Sequence, residues 1–231
     1  MDIEKLKYEA QSKALHIADV SGSVASRPII FSSEMVREIL AGRKTQTRRI
    51  IKPQPTTVVQ DIVGNFYEVS HRESGIGEYE DIIKCPYGMA ADMDFLWVRE
   101  AYSKNYFNTG IHAYKADFKE VAAEYVPVPK WKPSIHMPKS AARIFLKIND
   151  VKVERLQSIS EEDAQREGVK YDLSLEFNQY LNYEKGIYQC QTAVESFKSL
   201  WSEINGEKSW SENPFVWVIQ FERVELSEHY R

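Results

Sequence analysis

Between Ser32 and Leu40 the apolar positions Met35, Val36, Ile39 and Leu40 fall on one helical face, which predicts a short helix with that face buried. Ser32 or Ser33 supplies an N-cap oxygen, Glu34 sits in the first turn where the dipole favours it, and Gly42 suits a left-handed stop. A second helix is predicted over Thr192–Ile204, where Val194, Phe197, Leu200, Trp201 and Ile204 line one side and Gly206 follows the end. A brief third helix starts at Ser160, with Asp163 completing a capping box, and ends at Gly168.

Strand signals lie between these helices. Pro28–Phe31, Phe95–Ala101 and Phe215–Val224 are apolar runs of strand length, the last opened by Pro214 and expected to bury Val216, Val218 and Phe221. Arg143–Leu156 alternates, but its phase slips near Asn149-Asp150, predicting a bend, bulge or turn between two strands. Val58–Val69 holds short β-like runs around Gly64, and Cys85–Gly88 is a turn signal. His71–Tyr79, Tyr171–Gln191 (a polar and aromatic loop or lid) and Ser209–Asn213 read as loops. Helices and strands are interspersed without a regular βαβ beat, so the expected class is α+β with a mixed or antiparallel sheet.

The chain has 231 residues, enough for one domain or two, and its 43% apolar content supports a core. Residues 1–26 read as a polar N-terminal extension with an amphipathic segment, expected to pack on the domain or on a second subunit of a homo-oligomer. The tail, 227–231, is expected to fray. The net charge of −4 confines any nucleic-acid contact to a local patch. Cys85 and Cys190 lie far apart and outside any Cys/His cluster, so neither a structural zinc site nor a cofactor is expected, and a reduced cytosolic protein is the simplest reading. No apolar run is long enough to span a membrane and no signal peptide opens the chain.

The candidate chemistry follows the first helix. Arg43, Lys44, Thr45, Gln46, Thr47, Arg48 and Arg49 leave its end together and read as a basic, hydroxyl-rich loop. A threonine hydroxyl becomes nucleophilic when a base takes its proton, and lysine serves as that base where burial or nearby cations lower its pKa. Glu167 ends the short helix at the negative pole of its dipole, a mildly unfavourable place that calls for a partner; Lys44 is the natural one. Alternation sends Arg99 and Glu100 to opposite faces of their strand, so at least one can look into a cavity. His136 stands between Pro133 and Pro138, a rigid setting that makes it a candidate ligand contact.

The spacing Gly42-x-Lys44-x-x-Thr47-x-Arg49 resembles the signature of the ASCH domains, within the PUA-like superfamily. Phe95–Glu100, Leu156–Val169, Trp131–Pro138 and Asn213–Phe221 extend the resemblance, and the whole set is similar to a long ASCH-type group common in phages and prophages. Where such relatives carry Gly-Asp before the Phe95 strand, this chain reads Asp92-Met93-Asp94. The resemblance implies a PUA-like mixed β-barrel with flanking helices over residues 27–226. Long insertions near 53–91, 102–140 and 170–191 would sit around its mouth. In the small ASCH-type amidohydrolases, a Lys, a Thr and a Glu remove an acetyl group from the exocyclic amine of cytidine; the matching positions are Lys44, Thr47 and Glu167. Arg49, Arg48, Arg99 and His136 would then contact the ligand, RNA or a modified nucleoside. The alternatives are a non-catalytic RNA- or nucleotide-binding module, in which Lys44 and Arg49 hold phosphate, and a ribonuclease. The implied setting is the cytoplasm of a bacterial or phage-infected cell.

Overall fold

The computed structural model describes residues 26–61, 65–70, 78–88, 94–104, 112–118, 129–172 and 179–225. The N-terminal extension, except Ser26, and the tail lie outside them. The fold is α+β. Its central sheet has the order β1 (Ser26–Ile30), β6 (Phe95–Arg99), β9 (Phe145–Arg155), β13 (Phe215–Val224), β2 (Gln46–Ile50). The β1–β6 pair is parallel and the other pairs are antiparallel, so the sheet is mixed.

β13 shows why the last strand reads as an unbroken apolar run. Trp217 and Ile219 enter one core cluster, with Phe31, Val36, Ile39 and Leu146. Val216 and Val218 enter another, with Leu156, Ala164, Phe197 and Trp201. Both faces of the strand are covered, so alternation disappears from its sequence. Each fully buried aliphatic side chain contributes roughly 1.5–3 kcal/mol.

α1 (Ser33–Leu40) is capped by the Ser32 hydroxyl, which accepts from Met35 N–H, and Gly42 adopts φ +73° just past its end. The phase slip at Asn149-Asp150 is a β-bulge inside one strand, not a break between two. Gln220 pairs with Asp150 and Phe221 with Ile148, leaving Asn149 as the extra residue. The 3-10 turn Leu156–Ser158 then leads to α2 (Glu161–Arg166), and α3 (Ala193–Asn205) begins after the cap Thr192.

Several expectations are corrected. The segment read as a basic loop becomes strand β2 from Gln46 onward, because pairing with β13 outweighs its polarity. Tyr171–Gln191 includes an antiparallel sheet of β10 (Tyr171–Asp172), β11 (Gln179–Asn182) and β12 (Ile187–Cys190), not a bare loop. Part of the loop expected at Ser209–Asn213 is helical, within α4 (Glu207–Ser211). The barrel implied by the resemblance does not close among the described residues. β1 and β2 are the sheet's two edges and are joined by a side chain, Arg49 Nη2 donating to the Ile30 carbonyl at 2.6 Å.

The segment expected as an insertion at 53–91 carries the sheet β3 (Val58–Gln60), β4 (Phe66–Ser70), β5 (Glu78–Ile83). Its Phe66 packs edge-on against Trp217 at 5.3 Å, so this segment reaches the core. The segment 102–140 contains the pair β7 (Tyr102–Ser103) and β8 (Ala113–Tyr114). Gly64 and residues 71–77 lie outside the described residues.

Candidate functional site

The site begins with a backbone turn. The Glu38 carbonyl accepts from both Arg43 N–H and Lys44 N–H, at 2.9 and 3.1 Å, which folds the chain back after Gly42 and turns Lys44 inward. Thr45 N–H then caps the Arg166 carbonyl at 2.9 Å, docking the end of α2 beside the start of β2. Gly168, at φ +82°, lets the chain leave α2 against Lys44; a Cβ there would lie 2.8 Å from the Lys44 Cβ. Two segments separated by 123 residues are thereby held in contact.

Lys44 is fully enclosed, and all three of its ammonium protons are engaged. Nζ donates to the Gln46 carbonyl at 2.8 Å, the Glu167 carbonyl at 2.8 Å and Glu167 Oε2 at 3.0 Å. The partner required by a carboxylate at the negative end of α2 is therefore Lys44. Burial pushes the Lys44 ammonium below its ordinary pKa; Glu167 opposes that push, while Arg49 and Arg48 add to it.

The second Glu167 oxygen accepts from Arg48 Nη1 at 3.1 Å, and Arg48 Nη2 bridges Glu154 and Asp163, both at 3.2 Å. Arg48 also lies 5.9 Å above the Phe197 ring centroid. Glu167 is thus clamped between two buried cations, and Arg48 is shared by three carboxylates.

Beside this cluster lies a cavity of about 350 Å³, within the range of roughly 300–1,000 Å³ typical of small-ligand pockets. One wall is polar: Thr47, Arg48, Arg49 and Glu167, with Lys52 at the rim. The lining also has an apolar part: Phe197, Leu200 and Trp201 from α3, with Met35 and Tyr87. Lys44 stands behind this surface, and its hydrogen bonds run to Gln46 and Glu167, not to Thr47.

β2 is an edge strand, and its ladder has a definite phase. Ile51 N–H donates to the Phe215 carbonyl at 3.1 Å, and Phe221 N–H to the Thr45 carbonyl at 2.9 Å, so odd-numbered residues bond to β13. The N–H and C=O groups of Gln46, Arg48 and Ile50 therefore turn to the free edge. Lys44 takes the Gln46 carbonyl. The backbone of Arg48 and Ile50, two pocket-lining residues, faces outward with no strand partner among the described residues.

Of the expected site residues, Lys44, Thr47, Glu167, Arg48 and Arg49 are brought together. Arg99 and His136 lie outside the pocket lining. The Arg99 guanidinium donates to the Ile135 carbonyl and stacks 5.5 Å from Trp97. His136 is exposed in a 3-10 turn. Glu100 is buried and paired to Arg143 at 2.8 Å. Sequence reasoning missed Lys52, Tyr87 and the lining role of Phe197, Leu200 and Trp201. The apolar stripe of α3 is a core signal, and nothing in its spacing distinguishes a core from a pocket wall. Among the described residues no group of His, Cys, Asp and Glu could hold a metal ion, both cysteines are free, and no helix is long and apolar enough to cross a membrane. The chain matches no protein-family model, no curated protein and no solved structure.

Proposed function

We propose that the pocket binds a pyrimidine nucleoside, free or displayed by RNA, in an ASCH-type site of PUA-like ancestry. The observation that carries this reading is an edge-strand backbone lining the same cavity as aromatic side chains. The N–H and C=O of Arg48 offer one donor and one acceptor to the edge of a base, and Phe197 and Trp201 offer apolar surface to its face. The cavity volume of about 350 Å³ suits one nucleoside and not a folded polymer.

A second reading adds chemistry. Thr47 and Glu167 both line the cavity, with Lys44 behind them. In hydrolytic deacylation of cytidine acylated on its exocyclic amine, the Thr47 hydroxyl oxygen attacks the acyl carbonyl and its proton passes to a neutral Lys44 amine. The C–N bond breaks, the departing amine takes a proton through Glu167, and water then releases the acid from Thr47. Lys44 must lose one of its three donor contacts to act this way, which its buried position favours and its Glu167 contact opposes. That saturation is why binding comes first here and hydrolysis second.

The test is direct. Purified protein is titrated with cytidine, then incubated with acetylated cytidine while release of cytidine is followed chromatographically. Binding without turnover supports a binding module; turnover lost in Thr47→Val and Glu167→Gln supports the hydrolase. Absence of binding and turnover contradicts both.

A further inference from the structure

Arg49 differs from Lys44 and Arg48, its neighbours in the site. Lys44 and Arg48 are paired to carboxylates, whereas Arg49 forms no ion pair among the described residues. Its Nη2 donates to the neutral Ile30 carbonyl, and its Nε–H is buried without an acceptor. The same holds for the Nε–H of Arg48. Tyr87 and Glu167 act on Arg49 through space and its guanidinium lies 5.1 Å over the Phe31 ring, but the two Glu167 oxygens already accept from Lys44 and Arg48. Burial pushes the Arg49 guanidinium below its ordinary pKa, as expected of a cation that lacks a contacting anion. Lys52, at the rim of the same cavity, also forms no ion pair among the described residues. A desolvated guanidinium without a counter-charge is costly to retain unless an anion completes it.

We propose that Arg49, with Lys52, forms an anion subsite that takes the phosphate of a pyrimidine nucleoside monophosphate. This rests on the nucleoside reading of the pocket and sharpens it to a phosphorylated ligand. Guanidinium suits phosphate because its fork of donors matches two oxygens. A mononucleotide is favoured over an RNA chain on two grounds: the cavity holds about 350 Å³, and the net charge of −4 provides no general field for a polyanion.

The experiment is calorimetric titration of the full chain with cytidine, cytidine monophosphate and a cytidine-containing trinucleotide, at low and high salt. Cytidine monophosphate is expected to bind about ten- to a hundredfold more tightly than cytidine, the range for a charge-assisted contact. That advantage shrinks as salt rises, and in Arg49→Gln the ratio falls to about twofold or less. If Arg49→Gln does not fold, the exposed Lys52→Ala must lower the ratio about two- to fivefold. Equal binding of nucleoside and monophosphate overturns the anion subsite while leaving the nucleoside pocket standing. Tight trinucleotide binding without a monophosphate preference overturns it in favour of RNA. Failure of every ligand to bind overturns subsite and pocket together.

Discussion

Two arginine clusters among the described residues are built differently. Arg143 donates to Glu100 through Nε and Nη2, at 2.8 and 3.1 Å, and to Asp117 through Nη1 and Nη2, at 2.6 and 3.0 Å; its guanidinium stacks 4.0 Å from the Tyr114 ring. Every donor nitrogen is matched, and the cluster does not line the cavity. The cluster around Glu167 has paired cations too, but it leaves the Nε–H groups of Arg48 and Arg49 unmatched beside a cavity. A saturated guanidinium clamps two segments together, and an unsaturated one at a cavity wall has capacity left for a ligand.

The comparison is broken most forcefully at its shared carboxylate. Glu167→Ala leaves Lys44 and Arg48, both with fully buried side chains, without their common acceptor. A loss of about 3–5 kcal/mol is expected, read as a lower urea midpoint with an unchanged slope. A loss below about 1 kcal/mol would place this pair with exposed ion pairs instead. Arg143→Ala is expected to cost about 3 kcal/mol, because Glu100 is 1% exposed and loses its pairing partner. It must leave cytidine binding unchanged; weakened binding would make the Arg143 cluster part of the site.

Gly168→Ala probes the contact between the two segments. A Cβ at φ +82°, 2.8 Å from the Lys44 Cβ and 3.1 Å from the Glu38 Cβ, adds strain and a clash. The expected cost is about 1–3 kcal/mol, and thermal melting measures it. A neutral substitution would show that α2 docks on β2 more loosely than these distances state.

A smaller, pH-dependent effect comes from Cys85. Burial pushes its thiol up to about 11 from an ordinary 9.0. The folded state binds this proton more tightly than the unfolded one, so the contribution is complete below pH 9 and is lost as pH rises through about 11. Stability measured from pH 8 to 11 should therefore fall, and less steeply in Cys85→Ala. Rapid alkylation of Cys85 in the folded protein at pH 9 would contradict this.

Much of the frame was legible in the chain. The Ser32 and Ser160 caps, the stops at Gly42 and Gly168 and the Lys44–Glu167 contact follow from local rules about helix ends. The identity of β2 was not legible, because Arg48 and Arg49 look like solvated charge until Glu154, Asp163 and Glu167 arrive from distant segments. The bulge at Asn149 was visible as a phase slip, but its resolution into one continuous strand required the pairing with β13. The pocket's apolar wall was invisible for a related reason: Phe197 and Trp201 satisfy the same helical period whether they face a core or a ligand.

The most direct test of the account is a nuclear magnetic resonance titration of the labelled full chain with cytidine. The Trp201 indole, whose N–H donates to Ser209 Oγ at 2.8 Å, lies in the apolar wall, whereas Trp97 and Trp131 do not line the cavity. Saturable shifts of the Trp201 indole and the Arg48 amide, with Trp97 and Trp131 unmoved, are the predicted result. Shifts confined to Trp97 and Trp131, or none at millimolar cytidine, would contradict it.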